Sequence, residues 1–177
     1  ERWKFQRLDS RLAERLLEVL QSKVPELIIG IPYNYGSLEK YNDQGADGIR
    51  SYMTEAIRKQ HNSLLDRNRV YADAYLTRFY VMYKDNMKRI ERLRKMWEGR
   101  HVITVEGALT RLGVGNDLFD NVASFRRILA PATSSFDRYE DCLHAALKYA
   151  ESDTLFLLAI GPSSGVLAYD LTMKGYQ

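Results

Sequence analysis

Residues 101–119 read H-V-I-T-V-E-G-A-L-T-R-L-G-V-G-N-D-L-F. The segment opens as a β-branched apolar run, residues 101–105, and breaks at Glu106-Gly107. Arg111 follows, then Gly113 and Gly115 around Val114, then Asn116-Asp117, a pair able to open a helix. Strand, glycine loop and helix start is how α/β proteins hold phosphorylated ligands, because glycines let backbone N–H groups approach an anion at a helix N-terminus. The motif is not a complete G-x-G-x-x-G, since Leu118 and Phe119 stand where a third glycine is needed. It is a phosphate loop in outline and not a dinucleotide fingerprint.

Three more apolar runs lie on either side of it: residues 27–31, 125–130 and 154–160. None alternates cleanly, as expected of strands covered on both faces. Each ends at a proline, in Ile31-Pro32, Ala130-Pro131 and Gly161-Pro162, and proline cannot continue a ladder. Helical patterns lie between: residues 8–23, with Leu8, Leu12, Leu16 and Leu17 on one face; 48–67; 85–98; 137–150, with Cys142, Leu143, Ala146 and Leu147 at helical spacing; and 163–174, stopped by Gly175. This alternation predicts an α/β fold with a mainly parallel sheet flanked by helices. In such sheets ligands bind outside the carboxyl ends of the strands. Those ends are expected at residues 32–35, 106–117, 131–135 and 161–164. Residues 30–48 read as an excursion from the core. No internal repeat, low-complexity tract or linker is visible, so the 177 residues are expected to form a single domain.

Composition bounds the function. Hydrophobic residues make up 45% and charged residues 28%, ordinary for a globular protein. The net charge of +3 favours anionic ligands without demanding a nucleic-acid partner. Cys142 is the only cysteine, which excludes an intrachain disulfide and a cysteine metal cage and suits a reducing cytoplasm. No run approaches the ~18 apolar residues of a membrane span. The chain opens at Glu1 and stops just after a helix pattern, so it reads as lacking short segments at both ends. His61, His101 and His144 fall in no zinc-ligand spacing, no serine sits in a G-x-S-x-G elbow, and no P-loop occurs. An NAD- or S-adenosylmethionine-dependent enzyme lacks its third glycine and its acidic residue about 20 positions on.

Three segments are candidates for chemistry, each with a purely architectural alternative. In the first loop Arg111 can pair with a phosphate and the amides of Gly113, Val114, Gly115 and Asn116 can line it. The same glycines can simply make a tight turn, with Asp117 and Asp120 complementing a helix dipole. Gly161, Pro162, Ser163 and Ser164 form a second loop between a strand and a helix, able to hold phosphate or sugar oxygens or merely to cap the helix. Residues 71–83 are rich in tyrosine around Thr77-Arg78. Their rings can stack on sugars or bases, whereas the four-residue spacing of Tyr71, Tyr75 and Phe79 fits core packing. The basic run 84–95 is interleaved with Asp85 and Glu91 and reads as a solvated helix face.

With these residues in hand, the chain resembles the bacterial GT-D-type glycosyltransferases. The likeness rests on Val105-Glu106-Gly107, on Thr110 to Phe119 and on Arg127-Ile128-Leu129-Ala130-Pro131-Ala132. It returns at Ala159 to Ser164 and Val166 to Leu171, with Phe5-Gln6 and Thr77-Arg78-Phe79-Tyr80 upstream. The resemblance implies a Rossmann-like fold and transfer of a hexose, commonly glucose, from a UDP-sugar to a glycan acceptor on a serine-rich-repeat surface adhesin. Other glycosyltransferases would be working partners. It also implies Mn²⁺ or Mg²⁺ held by a D-x-E motif. No D-x-E or D-x-D occurs here, so the metal ligands are unknown: either the motif lies in flanking segments, which the abrupt ends favour, or this copy is impaired. Arg111 and the Gly113–Asn116 amides would then neutralise the diphosphate, Asn116 and Asp117 would orient donor hydroxyls, and Thr77 and Arg78 would assist with diphosphate or acceptor. Glu106 is either the general base or the anchor of the glycine loop. The alternative to an enzyme is a non-catalytic Rossmann-like module that binds a nucleotide or a partner.

Overall fold

The run beginning at His101 forms a strand through Gly107 and takes the middle of a three-stranded parallel sheet. The structure, a computed structural model, describes residues 5–32 and 36–177, apart from the side chains of Phe79 and Tyr80. Along the chain the elements are α1 (Ser10–Gln21), β1 (Gly30–Ile31), α2 (Asp43–Tyr52), α3 (Glu55–Leu64), β2 (Ala72–Asp73), α4 (Phe79–Met82) and α5 (Asn86–Trp97). Then come β3 (His101–Gly107), β4 (Ser124–Ala130), α6 (Tyr139–Tyr149), β5 (Leu155–Ala159) and α7 (Ser163–Thr172). Short 3-10 turns occupy Ala74–Arg78 and Ser135–Arg138. Two compact units result, one from Leu20–Leu93 and one from Glu1–Val19 with Arg94–Gln177.

The second unit carries the sheet, in the order β4-β3-β5. His101 faces Ser124 and Val102 faces Leu155, and both pairings are parallel. Ile103, Val105, Ile128, Ala130 and Phe156 turn one side of the sheet toward α1, α6 and α7, where Leu12, Ala146, Val166 and Leu167 close the core. Burial of each large aliphatic chain there contributes about 1.5–3 kcal/mol. The other side carries Val102, Thr104 and Glu106, all buried, and Phe125. Phe119 stacks on Phe125 with centroids 4.5 Å apart and meets Trp97 at 5.5 Å. Asp170 accepts from Arg15 and from Tyr139, tying α7 to α1 and α6. Gly175 ends the last helix as its position suggested. With φ at +87° it lets Gly175 N–H bond Thr172 and Tyr176 N–H bond Leu171, a Schellman stop.

Asp9 moves the start of the first helix. Its carboxylate accepts the N–H groups of Arg11 (2.9 Å) and Leu12 (3.4 Å), so Leu8 stays outside the helix and fully exposed. Of the predicted apolar face, Leu12 is buried and Leu16 packs beside it, while Leu17 is 39% exposed.

The first unit departs further from the apolar pattern. Of residues 27–31 only Gly30 and Ile31 pair, and they pair with Ala72 and Asp73 in a separate parallel ladder. The Arg69 guanidinium, distant in sequence, takes the carbonyls of Leu20, Ser22 and Leu27, and Ile28 stays 79% exposed. The helix expected over residues 48–67 is two helices. Asn42 caps the first through Gly45 N–H at 2.7 Å, and Thr54 caps the second through Ile57 N–H at 3.4 Å. Tyr41, Ala46, Ile49, Met53 and Tyr83 form the core of this unit. Tyr75 packs edge-on to Tyr41 at 6.1 Å, so the tyrosine-rich segment supplies packing, although on a strand and a 3-10 turn and not at helical spacing. The expectations for Tyr33 to Tyr35 and for the Phe79 ring lie outside the described residues. Among the described residues no helix is long and apolar enough to cross a membrane.

Candidate functional site at the carboxyl edge of the sheet

Because β3, β4 and β5 run in one direction, their exits share an edge. A Cβ on Gly107 would meet Ala132 Cα at 3.4 Å, so the exits of β3 and β4 touch. Phe5 joins the third exit to them. Its carbonyl accepts Ser134 N–H at 2.7 Å, and its ring lies so close to Gly161 that a Cβ there would come within 2.3 Å.

Glu106 is fully buried at the end of β3. One of its oxygens accepts from Arg127 Nε and the other from Leu112 N–H at 3.3 Å. Arg127 also donates to the Thr110 carbonyl at 2.9 Å. A carboxylate and a guanidinium thereby pin both sides of Arg111, whose own side chain is exposed and makes no ion pair among the described residues. Arg127 was not foreseen as a site residue; its place directly before Ile128, on the strand face of Glu106, was the available signal.

The loop that follows corrects the sequence reading. Residues 108–123 contain turns and bends and no helix, so Asn116 caps none and no helix dipole reaches the glycines. Asn116 instead accepts Leu118 N–H at 3.0 Å, a local Asx turn. Asp117 pairs with Arg94 at 2.8 Å, and that guanidinium holds its carboxyl below the usual carboxylate range. Trp97 Nε1 donates to the Leu118 carbonyl at 3.1 Å. The segment from Asp117 to Phe119 is thus tied to the end of α5. Gly113 has φ +74°, and a Cβ there would strike Phe119 at 2.4 Å; Gly115 has φ +75° and open space. Tertiary ties take the place of the expected helix start. Val114 and Gly115 remain exposed at the tip.

The second loop follows the expectation more closely. Gly161 turns at φ +64°, and α7 starts at Ser163. The Ser164 hydroxyl is used inside the turn, accepting Ile160 N–H at 3.0 Å. Ser163 Oγ is fully buried and has no hydrogen-bond partner among the described residues. Pro162 supplies no side-chain cap.

Thr77 and Arg78 belong to the other unit, exposed on the 3-10 turn after β2. Asp73 builds that turn. Its carboxylate accepts from Tyr75 N–H (2.9 Å), Lys40 Nζ (2.8 Å), Tyr41 OH (2.7 Å) and Tyr83 OH (2.5 Å). Burial pushes the Asp73 pKa upward, but Lys40 and the tyrosine hydroxyls outweigh it and hold the carboxyl below its ordinary value. The Tyr83 hydroxyl is pushed up to about 12 by burial and by Asp73. The sequence held an unused signal here: D-A-Y-L-T-R at Asp73–Arg78 and E-G-A-L-T-R at Glu106–Arg111 share their spacing. Each is a strand-end acid followed by a turn that presents Thr-Arg.

Among the described residues one group could converge on a metal. His101, Glu151 and Asp153 bring ligand atoms within 4.8 Å of one another, and His101 Nδ1 lies 2.7 Å from Ser124 Oγ. That group stands at the amino ends of β3 and β5, the opposite edge. At the carboxyl edge Glu106 is engaged with Arg127, and Asp117 is drawn to Arg94, so these acids do not fit a divalent ion there. Cys142 is buried, and burial pushes its thiol upward, which leaves it inert.

A parallel sheet whose exits bear glycine turns, an exposed arginine and a helix head defines an α/β protein of Rossmann-like class. The whole chain, residues 1–177, matches the glycosyltransferase GT-D fold, and the chain belongs to that family. It is 39% identical over 110 residues to the glycosyltransferase GlyD of Streptococcus pneumoniae serotype 4, a match that covers 60% of this chain and 13% of that protein. It is 28% identical over 177 residues to a probable glycosyl transferase, Gly, of Streptococcus gordonii, covering 98% of this chain and 26% of that one. The chain therefore spans only a small part of these relatives. Among solved structures, a glycosyltransferase (DUF1792) from Streptococcus sanguinis superposes with a TM-score of 0.85 at 28% identity, over 98% of this chain and 66% of that one. A DUF1792 structure described as having a distinct glycosyltransferase fold gives 0.86 at 31% identity, over 98% and 63%.

Proposed function

We propose that this chain is the transferase domain of a glycosyltransferase that moves a hexose, most simply glucose, from a UDP-sugar to a glycan acceptor on a bacterial surface glycoprotein. What supports the reading is that the strands leading to Arg111 and to the Gly161 turn are parallel neighbours and end at one sheet edge, in a chain of the GT-D family. As the bond between the sugar and the diphosphate breaks, negative charge collects on the departing oxygens, and fixed cations and N–H groups lower that barrier. Arg111 is held between two pinned residues and free to pair with the diphosphate. Gly113, Val114, Gly115 and Asn116 offer the exposed tip beside it, and the head of α7 at Gly161, Pro162, Ser163 and Ser164 offers a second turn at the same sheet edge, with Ser163 Oγ lacking a partner among the described residues.

To Glu106 we assign the anchoring role. As a general base it would first have to leave Arg127 and Leu112. Asp117, paired with Arg94, orients the loop before it orients a donor hydroxyl. No step is assigned to Mn²⁺ or Mg²⁺, because the acids at this edge are engaged with arginines. Supply of UDP-sugars and of acceptor by other glycosyltransferases suits a cytoplasmic site. The test is release of UDP from UDP-glucose by the full-length protein with an acceptor disaccharide and Mn²⁺. Turnover is expected, and its absence with every common UDP-hexose removes the proposal.

The same engaged acids favour a second reading, a non-catalytic module that binds a nucleotide or a partner. Calorimetry separates the two, since such a module binds UDP without metal dependence and releases no product from UDP-hexoses.

A further inference from the structure

We infer that the last turn of α5 positions the donor loop and that Trp97 is the residue through which it acts, an inference that rests on the nucleotide-sugar reading above. Residues 108–123 form a long connection without helix or strand, and Arg111 stands near its start. That start is pinned by Glu106 and Arg127. The far arm, residues 117–123, is held instead by the end of α5 and the turn after it. Arg94 pairs with Asp117, and Asn121 Nδ2 donates to the Arg94 carbonyl at 3.0 Å. The Asn121 carbonyl accepts Gly99 N–H at 2.8 Å, and Ala123 N–H reaches the Arg100 carbonyl at 2.9 Å. Trp97 stands among these ties. It is buried at the end of α5, and its Nε1 donates to the Leu118 carbonyl at 3.1 Å. Its ring centroid lies 5.5 Å from that of Phe119.

From Phe119 the contact passes to the glycines. The Cδ2–Cε2 edge of its ring fills the place where a Gly113 side chain would stand, since a Cβ there would lie 2.4 Å and 2.7 Å from those two atoms. The ring therefore bears directly on main chain. It has little room to retreat, because it also stacks on Phe125 of β4. One residue on, Val114 N–H bonds the Arg111 carbonyl at 3.2 Å. The route from Trp97 to Arg111 thus runs through a buried ring, a stretch of backbone and one hydrogen bond, with no flexible side chain in it. A loop whose anion-binding groups are fixed before the ligand arrives loses less freedom on binding. A loop that visits other arrangements binds more weakly, in proportion to the time it spends away from the competent one. Trp97 is in this sense a positioning residue for Arg111 and for the amides of Gly113–Asn116.

The experiment measures UDP and inorganic pyrophosphate by calorimetry on the full-length protein, in wild type, Trp97→Phe, Arg111→Ala and the double variant. Trp97→Phe keeps an aromatic ring near Phe119 and removes the indole N–H. It is expected to weaken both ligands by the same factor, about 2- to 10-fold, the worth of one hydrogen bond. In the Arg111→Ala background the same substitution is expected to add a smaller factor, because the two residues act through one loop. A tryptophan with a merely structural role would lower the urea midpoint and leave both affinities unchanged, or would add its full factor on top of Arg111→Ala; either result overturns the inference. So does a loss for UDP that pyrophosphate does not share, because the loop is assigned to the diphosphate. Should Trp97→Phe fail to fold, Asn121→Ala carries the same comparison with the same outcomes, since it removes a tie between the far arm and α5 and leaves the rings in place. Wild-type protein that binds no UDP at all would instead sink the nucleotide-sugar reading beneath it.

Discussion

Glu106 and Asp73 occupy equivalent places in the two units. Each ends a strand, each is followed at the same spacing by Leu-Thr-Arg, and each collects the hydrogen bonds that shape the turn after it. They differ in what surrounds them. Glu106 is fully buried and is answered by one guanidinium and one backbone N–H. Asp73 is only partly buried and is answered by an ammonium, two phenols and a backbone N–H. A buried carboxylate with a single cationic partner depends on that partner, whereas a carboxylate with many donors spreads the cost of desolvation. The unit built on Glu106 has a continuous apolar core behind it; the unit built on Asp73 has a two-residue ladder and needs its polar hub more.

The sharpest way to break this comparison is Glu106→Ala. It leaves Arg127 without its carboxylate and frees the Leu112 side of the Arg111 turn, with an expected loss of about 3–5 kcal/mol in urea unfolding. A loss below about 1 kcal/mol would show that the anchor is dispensable. Next comes Arg111→Ala. Its exposed side chain should leave the urea midpoint unchanged while UDP binding weakens by about 1.5–3 kcal/mol, the worth of a charge-assisted hydrogen bond. Unchanged UDP affinity in calorimetry would remove Arg111 from the donor site. Gly113→Ala adds a positive-φ penalty and a collision with the Phe119 ring, for about 1–3 kcal/mol, whereas Gly115→Ala meets only the backbone penalty. Equal effects in thermal unfolding would mean that Phe119 gives way freely.

The smallest effect expected is a pH dependence. Because Lys40 and the tyrosines hold the Asp73 carboxyl below its ordinary value, the hub is fully stabilising above the usual carboxylate range and loses that stability as pH falls through the lowered value. The tyrosines act in the opposite direction. With Tyr83 raised to about 12, its contribution is complete below the ordinary phenol pKa and fades as pH rises through that value. Urea midpoints across pH for wild type and Asp73→Asn test this. A variant whose acid limb is as steep as that of wild type would assign the limb to other carboxylates.

Much of the sheet unit was legible along the chain. Residues 102–105 and 155–159 became strands because a buried parallel strand is a continuous apolar run; residues 125–130 became one too, but as an edge strand on which only Ile128 and Ala130 are buried, not a strand covered on both faces. Gly175 and Gly161 were legible for a similar reason, because a backbone at positive φ leaves a glycine in the sequence. The first unit was less legible. Its strands are two residues long and its carbonyls are satisfied by a side chain, Arg69, from far along the sequence, which no periodicity records. The site was half legible. Arg111 and the Gly161 turn were found from their patterns, but Asn116-Asp117 looked like a helix start because Asx turns and helix caps use the same residues.

The sequence by itself determined that three strands run parallel and that glycines mark two of their exits, because strand burial and positive φ are written residue by residue. Only the tertiary structure decided that Arg127 would reach Glu106, that Phe119 would replace a helix as the support of the glycine loop, and that Phe5 would cross to Gly161. Those are pairings between residues 6 to 156 positions apart, as Phe119 with Gly113 and Phe5 with Gly161 mark the extremes. Their partners are chosen by which surfaces the packed core brings together, and no local property of either residue encodes that choice.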